Sequence, residues 1–396
     1  VVNVASACDN LDCTGYTGTL TLSAGLTIYG NWKTVAGMTF TPGTQTVTFA
    51  ATSSGKTITS GGKSFYNVTW NGSGGEWTLQ DNFTQNGTTG ADVAFTLGTL
   101  NLNGKTYNNW KLQVVTLGNG FTLNIGTGTL QANSCMSLTI STGAIVTVST
   151  GTLQINGFVV SDTGTFTATG AAQIYCKGSV NISSPNFSAG TSTLGHWFLT
   201  STLFSTQPLY NYTLGIISDA NVTVTLNSNL TVLNNFTIVY RAGVTRSFSA
   251  STYTITVGGN WANGDVFTCG TGTVVFNDAS KTTTVTGNTT FNVLQITTPD
   301  KVVRFTAGTT QTVASFIATG TAGHNVILSN VTGTSTWALS DTTGTNQVYY
   351  CTISYSAAAG GAAWLAYTTD GNVDGGGNTG WIFAPAGTDK MLLMFD

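Results

Sequence analysis

Charged side chains are scarce in this sequence. Only 7% of its 396 residues are Asp, Glu, Lys or Arg, against roughly a quarter in an average globular chain. Lys and Arg number 12 together and form no basic run, which excludes a nucleic-acid partner recognised by charge. There is one glutamate, Glu76, and there are two isolated histidines, His196 and His324. Without a C-x-x-C pair, those histidines make no zinc-type ligand set. No stretch of about 18 apolar residues occurs, so no membrane span is expected. Helix formers are few and no helical period lasts three turns, which excludes a helical fold. Proline is rare, with 5 in the chain, as long strand ladders require every backbone N–H. The chain opens on Val1 rather than Met, as a processed terminus or part of a larger product would.

What remains is β-prone and uncharged. Hydrophobic residues make up 41% and the net charge is only -3, so disorder is not expected. Short runs such as Thr46-Val47-Thr48-Phe49, Phe121-Thr122-Leu123-Asn124-Ile125 and Ile145-Val146-Thr147-Val148 alternate apolar with polar residues. Asn-Gly and Gly-x-Gly turns separate them. The fold class is all-β.

A motif recurs along the chain. Gly30-Asn31-Trp32 leads to Phe40-Thr41-Pro42-Gly43-Thr44-Gln45-Thr46-Val47-Thr48-Phe49 and then to Phe65-Tyr66-Asn67. Gly259-Asn260-Trp261 leads to Phe267-Thr268-Cys269-Gly270-Thr271-Gly272-Thr273-Val274-Val275-Phe276 and then to Phe291-Asn292. A weaker copy runs Phe187-Ser188-Ala189-Gly190-Thr191-Ser192-Thr193-Leu194, followed by Leu209-Tyr210-Asn211. Each unit repeats packing residues and none repeats a reactive group, so stacked equivalent turns are expected. Two architectures fit: a right-handed parallel β-solenoid (β-helix) and tandem antiparallel β-sandwiches. Thr-over-Thr and Asn-over-Asn ladders and the lack of linkers favour the solenoid, with roughly 16–20 turns. Val47, Phe49, Val274 and Phe276 are expected to point inward, and Trp32 and Trp261 to fill the core.

The chain divides into an N-terminal cap (1–30), a repetitive body (31–340), a closing module (341–384) and an apolar tail (385–396). Cys8 and Cys13 are close enough for a local disulfide, and an even count of 6 cysteines fits an oxidising compartment. Cys135, Cys176, Cys269 and Cys351 read as buried small apolar residues. Asp370, Asn372 and Asp374 match the start of a calcium loop, D-x-N-x-D-G, but Trp381 stands where the closing carboxylate belongs. Calcium is the single cofactor this leaves open; otherwise none is expected. Glu76 and Asp81 are the nearest approach to a catalytic acid pair, and the other acids are scattered over turns. The expectation is therefore a protein without an active site. Sequons are frequent, among them Asn67, Asn71, Asn181 and Asn330, the acceptor pattern of a glycoprotein.

The GNW…F-T-x-G-T-x-T-V-x-F…F-x-N repeats, with the terminal Val373-Asp374-Gly375-Gly376-Gly377-Asn378-Thr379-Gly380-Trp381, resemble those of secreted or virion-borne repeat proteins of bacteria and phages. That resemblance implies a β-helical surface or appendage protein of the adhesin and fibre kind. Two apolar ends suit self-association: Val1, Val2 and Val4, and Met391, Leu392, Leu393, Met394 and Phe395. The expected function is an extracellular structural subunit of a filament, surface layer or adhesive appendage, assembling through its ends. Alternatives are a phage fibre or adhesin gripping surface glycans, and a glycan-cleaving β-helix enzyme.

Overall fold

The computed structural model describes residues 1–85, 93–109, 114–132, 137–216 and 220–384. Nearly all of the regular structure is parallel β, wound into about 16 stacked turns of a β-solenoid. The one helical element among the described residues is the short 3-10 turn Thr368–Asp370. The strand ladders run parallel, which sets aside the tandem-sandwich alternative, whose hairpins would pair antiparallel. By its internal contacts the chain forms two compact units, one of Val1–Tyr210 with Ile216–Ala220, the other of Asn211–Gly215 with the residues from Asn221 onward. That division lies within the stretch expected to be one repetitive body, and no shift in composition marks it.

In the first unit, strands Ser6–Cys8, Leu26–Ile28, Thr46–Phe49, Asn67–Leu79 and Val93–Asn101 pair in succession. Alternation decides the faces. Ile28, Phe49, Trp70 and Phe95 are register partners on the buried side, while Thr27, Thr48 and Thr69 form an outer column. Phe49 and Trp70 stack with ring centroids 4.4 Å apart. A second series, Thr106–Asn109, Thr129–Ala132, Thr152–Ile155, Gln173–Cys176 and Thr193–His196, buries Tyr107, Leu130, Leu153, Ile174 and Leu194 in register. Its outward column reads Thr106, Thr129, Thr152, Gln173, Thr193. Residues 1–30 belong to this stack: Val2 bridges Leu22, and Leu11–Asp12 pairs with Trp32–Lys33.

In the second unit the strands Leu230–Val232, Thr254–Val257, Thr273–Phe276, Thr289–Ile296 and Thr310–Ala318 stack Leu230, Ile255, Val274, Leu294 and Phe316 in one buried column. Residues 341–384 continue the parallel pairing, with Cys351–Ile353 on Val326–Asn330 and Ala363–Leu365 on Thr345–Gln347.

The sequence repeat is also a repeat of contacts. Trp32 meets Phe40, Phe49 and Phe65 at centroid distances of 5.6, 6.1 and 5.1 Å. Trp261 meets Phe267, Phe276 and Phe291 at 4.9, 6.4 and 5.5 Å. Each of these two copies thus closes one four-ring cluster, and Val47, Phe49, Val274 and Phe276 are all buried as expected. The glycine after the first Phe takes the left-handed region in all three copies, at φ 57° in Gly43, 52° in Gly190 and 55° in Gly270. The asparagine of F-x-N ties the turn down: Asn67 Nδ2 donates to Thr44 O at 3.2 Å, and Asn292 Nδ2 to Thr271 O at 3.0 Å. The asparagine of GNW links neighbouring turns, because Asn31 Oδ1 accepts from Thr57 N and Asn260 Oδ1 from Thr284 N, each at 2.8 Å. Asparagine here satisfies backbone groups that charged surface residues would leave to water.

Candidate functional site

Glu76 lies in the long strand Asn67–Leu79, whose register against Val93–Asn101 slips on both sides of Asn71. The slip is built from glycine. A Cβ on Gly72 or Gly75 would stand 1.9 or 2.2 Å from Ala51 O, so no side chain fits there. The chain bulges, and a cleft of about 390 Å³ opens beside it. Ser73, Gly74, Gly75, Leu97, Gly98 and Thr99 line it together with Glu76.

The carboxylate ends a directed row of side-chain hydrogen bonds. Asn101 Nδ2 donates to Glu76 Oε1 at 2.6 Å, Asn124 Nδ2 donates to Asn101 Oδ1 at 2.7 Å, and the Thr147 hydroxyl donates to Asn124 Oδ1 at 2.7 Å. The direction is forced. An ionised carboxylate only accepts, so Asn101 must present its NH2 to Glu76 and its oxygen to Asn124, and the same holds one turn further on. Asp81 is engaged elsewhere: its two oxygens accept from Ser60 N at 2.8 Å and Gly61 N at 2.7 Å, tying a turn. Glu76 and Asp81 therefore have different partners and different tasks.

A second cleft, of about 290 Å³, is lined by Leu233, Gly258 and Asp278 among others. Beside it the buried Lys301 Nζ donates to the carbonyls of Asp278 at 2.8 Å, Lys281 at 2.9 Å and Gly258 at 3.3 Å. Lys281 Nζ lies 3.0 Å from Asp278 Oδ2 and 2.6 Å from Leu233 O. Two ammonium groups thus saturate the carbonyls that line this corner. Hydrogen bonds from Ser280 and Lys281 hold the Asp278 carboxyl down at about 2, and burial draws Lys301 down to about 8.

Cys176 and His196, which sequence reasoning did not connect, are buried register partners. Burial pushes the Cys176 thiol up and the His196 imidazole down to about 4, so both are neutral. A nucleophilic pair requires the opposite, a thiolate beside a cationic imidazole with access to substrate. His324 is a surface residue, with Nδ1 2.8 Å from Asp300 Oδ2.

The calcium-loop residues have other partners. Asn372 is buried; its Oδ1 accepts from Cys351 N at 2.9 Å and its Nδ2 donates to Val348 O at 2.8 Å and Tyr367 O at 2.9 Å. Asp370 Oδ2 takes Gln347 Nε2 at 2.9 Å, and Asp374 Oδ1 takes Gly376 N at 2.9 Å and Asn378 Nδ2 at 2.7 Å. With its oxygen facing inward, Asn372 serves the fold. Cys8 and Cys13 are free thiols, so the expected local bridge is not formed in this structure. Cys8 ends the strand Ser6–Cys8 and Cys13 follows the strand Leu11–Asp12, and each backbone pairs with the next turn: Cys8 is the register partner of Ile28, and Cys13 N donates to Lys33 O. Of the sequons, Asn330 is buried and caps a turn through Gly333 N at 2.6 Å, whereas Asn181 faces outward in Val180–Ile182.

Val1 and Val4 are exposed, at 84% and 66%, and Val2 is held by its bridge to Leu22. Met391, Leu392, Leu393, Met394 and Phe395 lie outside the described residues. No helix among the described residues is long and apolar enough to cross a membrane. The fold defines the class, a repeat β-solenoid consistent with β-helical repeat proteins. Beyond the class, no family model, curated protein or solved structure matches the chain.

Proposed function

We propose that the chain is an extracellular structural subunit of a filament, surface layer or adhesive appendage, and that it assembles through its ends. The observation that carries this reading is the repeat itself. Its Trp, Phe, Gly and Asn residues recur in order to close ring clusters and to bond one turn to the next. Such a chain invests its sequence in stacking. The first strands, Ser6–Cys8, Leu11–Asp12 and Thr19–Thr21, each pair on one side only among the described residues. An open edge of this kind accepts a further strand, and a second copy of the chain offers one of matching geometry. In the second unit, Val373 and Ile382 are about half exposed on the last strands of their sheets. The scarcity of charge weakens repulsion between copies. No cofactor and no catalytic step enter this reading.

Electron microscopy and sedimentation of the full chain test it, beside variants lacking residues 1–4 or 388–396. Concentration-dependent filaments or sheets are expected, lost in at least one truncated and still β-rich variant. A monodisperse monomer at high concentration refutes the proposal.

A further inference from the structure

We propose that the cleft over Glu76 binds a neutral carbohydrate through a pair of adjacent hydroxyl groups. The site lies inside the strand Asn67–Leu79, away from the edge strands, and so stands independently of end-to-end assembly.

Size comes first. At about 390 Å³ the cleft falls within the range of small-molecule sites and suits one sugar ring rather than an extended peptide. Its chemistry narrows the ligand. Among the described residues Glu76 is the one acidic or basic side chain lining it, and the remaining walls are glycine, Ser73, Thr99 and Leu97. An anion is repelled. A calcium ion seeks six to eight oxygens, usually with several carboxylates, and among the described residues this cleft offers one. Neutral hydroxyls fit best, because an O–H donated to a carboxylate is a charge-assisted bond.

The carboxylate is prepared for that task. Among the described residues Asn101 is the one side chain that donates to it, through Oε1. Its remaining lone pairs are available for vicinal hydroxyls. The Asn101–Asn124–Thr147 row fixes the position of Glu76 before a ligand arrives, which lowers the ordering cost of binding. The glycines matter again here. Gly74, Gly75, Gly98 and Gly120 leave their part of the cleft wall without side chains, so a ring can approach the backbone there. Leu97 offers an apolar surface to the C–H face of a sugar, and the Ser73 and Thr99 hydroxyls flank it.

The test uses the full chain with 15N-labelled glycine, titrated with the methyl glycosides of glucose, mannose and galactose. At least one sugar should shift the amides of Gly74, Gly75, Gly98 and Gly120, with a dissociation constant of about a millimolar. Glu76→Gln keeps the side-chain shape and should weaken binding about tenfold or more. Ser73→Phe, a change at an exposed position, should block the cleft without touching the carboxylate. Asp278→Asn, beside the second cleft, should leave binding unchanged. The proposal fails if no sugar moves those amides, if Glu76→Gln binds as well as the parent, or if calcium chloride alone produces the shifts. Loss of assembly in the truncated chains would leave these outcomes unaffected.

Discussion

Cys176 and His196 are register partners on the adjacent strands Gln173–Cys176 and Thr193–His196, and both side chains are buried in the core. The repeat explains the histidine. Counted from the left-handed glycine, His196 follows Gly190 by the same interval that separates Phe49 from Gly43 and Phe276 from Gly270. The weak middle copy therefore keeps the turn and the strand but places an imidazole where the other two place a phenyl ring. A polar ring in an apolar slot stays neutral, and its proton affinity drops accordingly.

Acid sensitivity of the first unit follows. Burial lowers the folded-state pKa of His196 to about 4, against 6.5 for the free side chain. Between those values the unfolded chain binds a proton that the folded chain refuses. Stability should thus fall as pH drops from about 6.5 to about 4 and level off below, by on the order of 3 kcal/mol in all. His196→Phe should abolish that slope. Urea midpoints of the two proteins across pH 7 to 4 measure the difference. Parallel curves would refute the assignment. Asp278, already held at about 2, loses its contribution only below the histidine window.

The asparagine of F-x-N supports a second prediction. Asn292 Nδ2 donates to Thr271 O at 3.0 Å, as Asn67 does to Thr44 O at 3.2 Å. Asn292→Ala should cost about 1 kcal/mol, the net worth of one such bond. Asn292→Asp should cost more, because a carboxylate then faces the Thr271 carbonyl with no proton to share. Equal unfolding midpoints for the two variants would show that the bond is not made.

Much of this architecture was legible beforehand. Strict alternation placed Val47, Phe49, Val274 and Phe276 inside, and equivalence between copies placed Trp32 and Trp261 in the core. Three-residue strands closed by Gly and Asn suited stacked parallel turns, because each corner leads back over the last. The sites were harder to see. The Glu76 cleft depends on which backbone atoms the glycines approach, and Gly72 or Gly75 meet Ala51 only after the turns have stacked. The match of Asp370, Asn372 and Asp374 to the start of a calcium loop says little for a related reason. Composition gives the order of oxygens but not their direction, and Asn372 turns inward to serve Cys351, Val348 and Tyr367. The His196 slot was readable in principle, since aligning the third copy two positions beyond Leu194, through Gly195 to His196, exposes the substitution.

Lys301 supports the last prediction. Its ammonium is buried in the second unit, and three carbonyls, from Asp278, Lys281 and Gly258, accept from it. It plays the part that a bound cation plays where several carbonyls converge. Removing the charge while keeping the aliphatic stem, as in Lys301→Met, leaves those carbonyls without their donor. The cost should be on the order of 3 kcal/mol, larger than for any surface lysine. The pH dependence has a definite sign. Desolvation is the main cause that lowers the folded-state pKa to about 8, with the nearby Asp278 charge opposing it and Lys281 adding to it. The unfolded chain keeps its proton up to about 10.4, so between those values the folded chain binds fewer protons and stability rises with pH. Buried thiols act the other way over part of that range, since burial raises Cys351 to about 12. The measurement is therefore the difference between parent and Lys301→Met in urea midpoint from pH 7 to 10.5. That difference should widen as pH rises above about 8. A constant gap would mean that the ammonium titrates as it does in water, and that the carbonyls do not hold it out of reach of solvent.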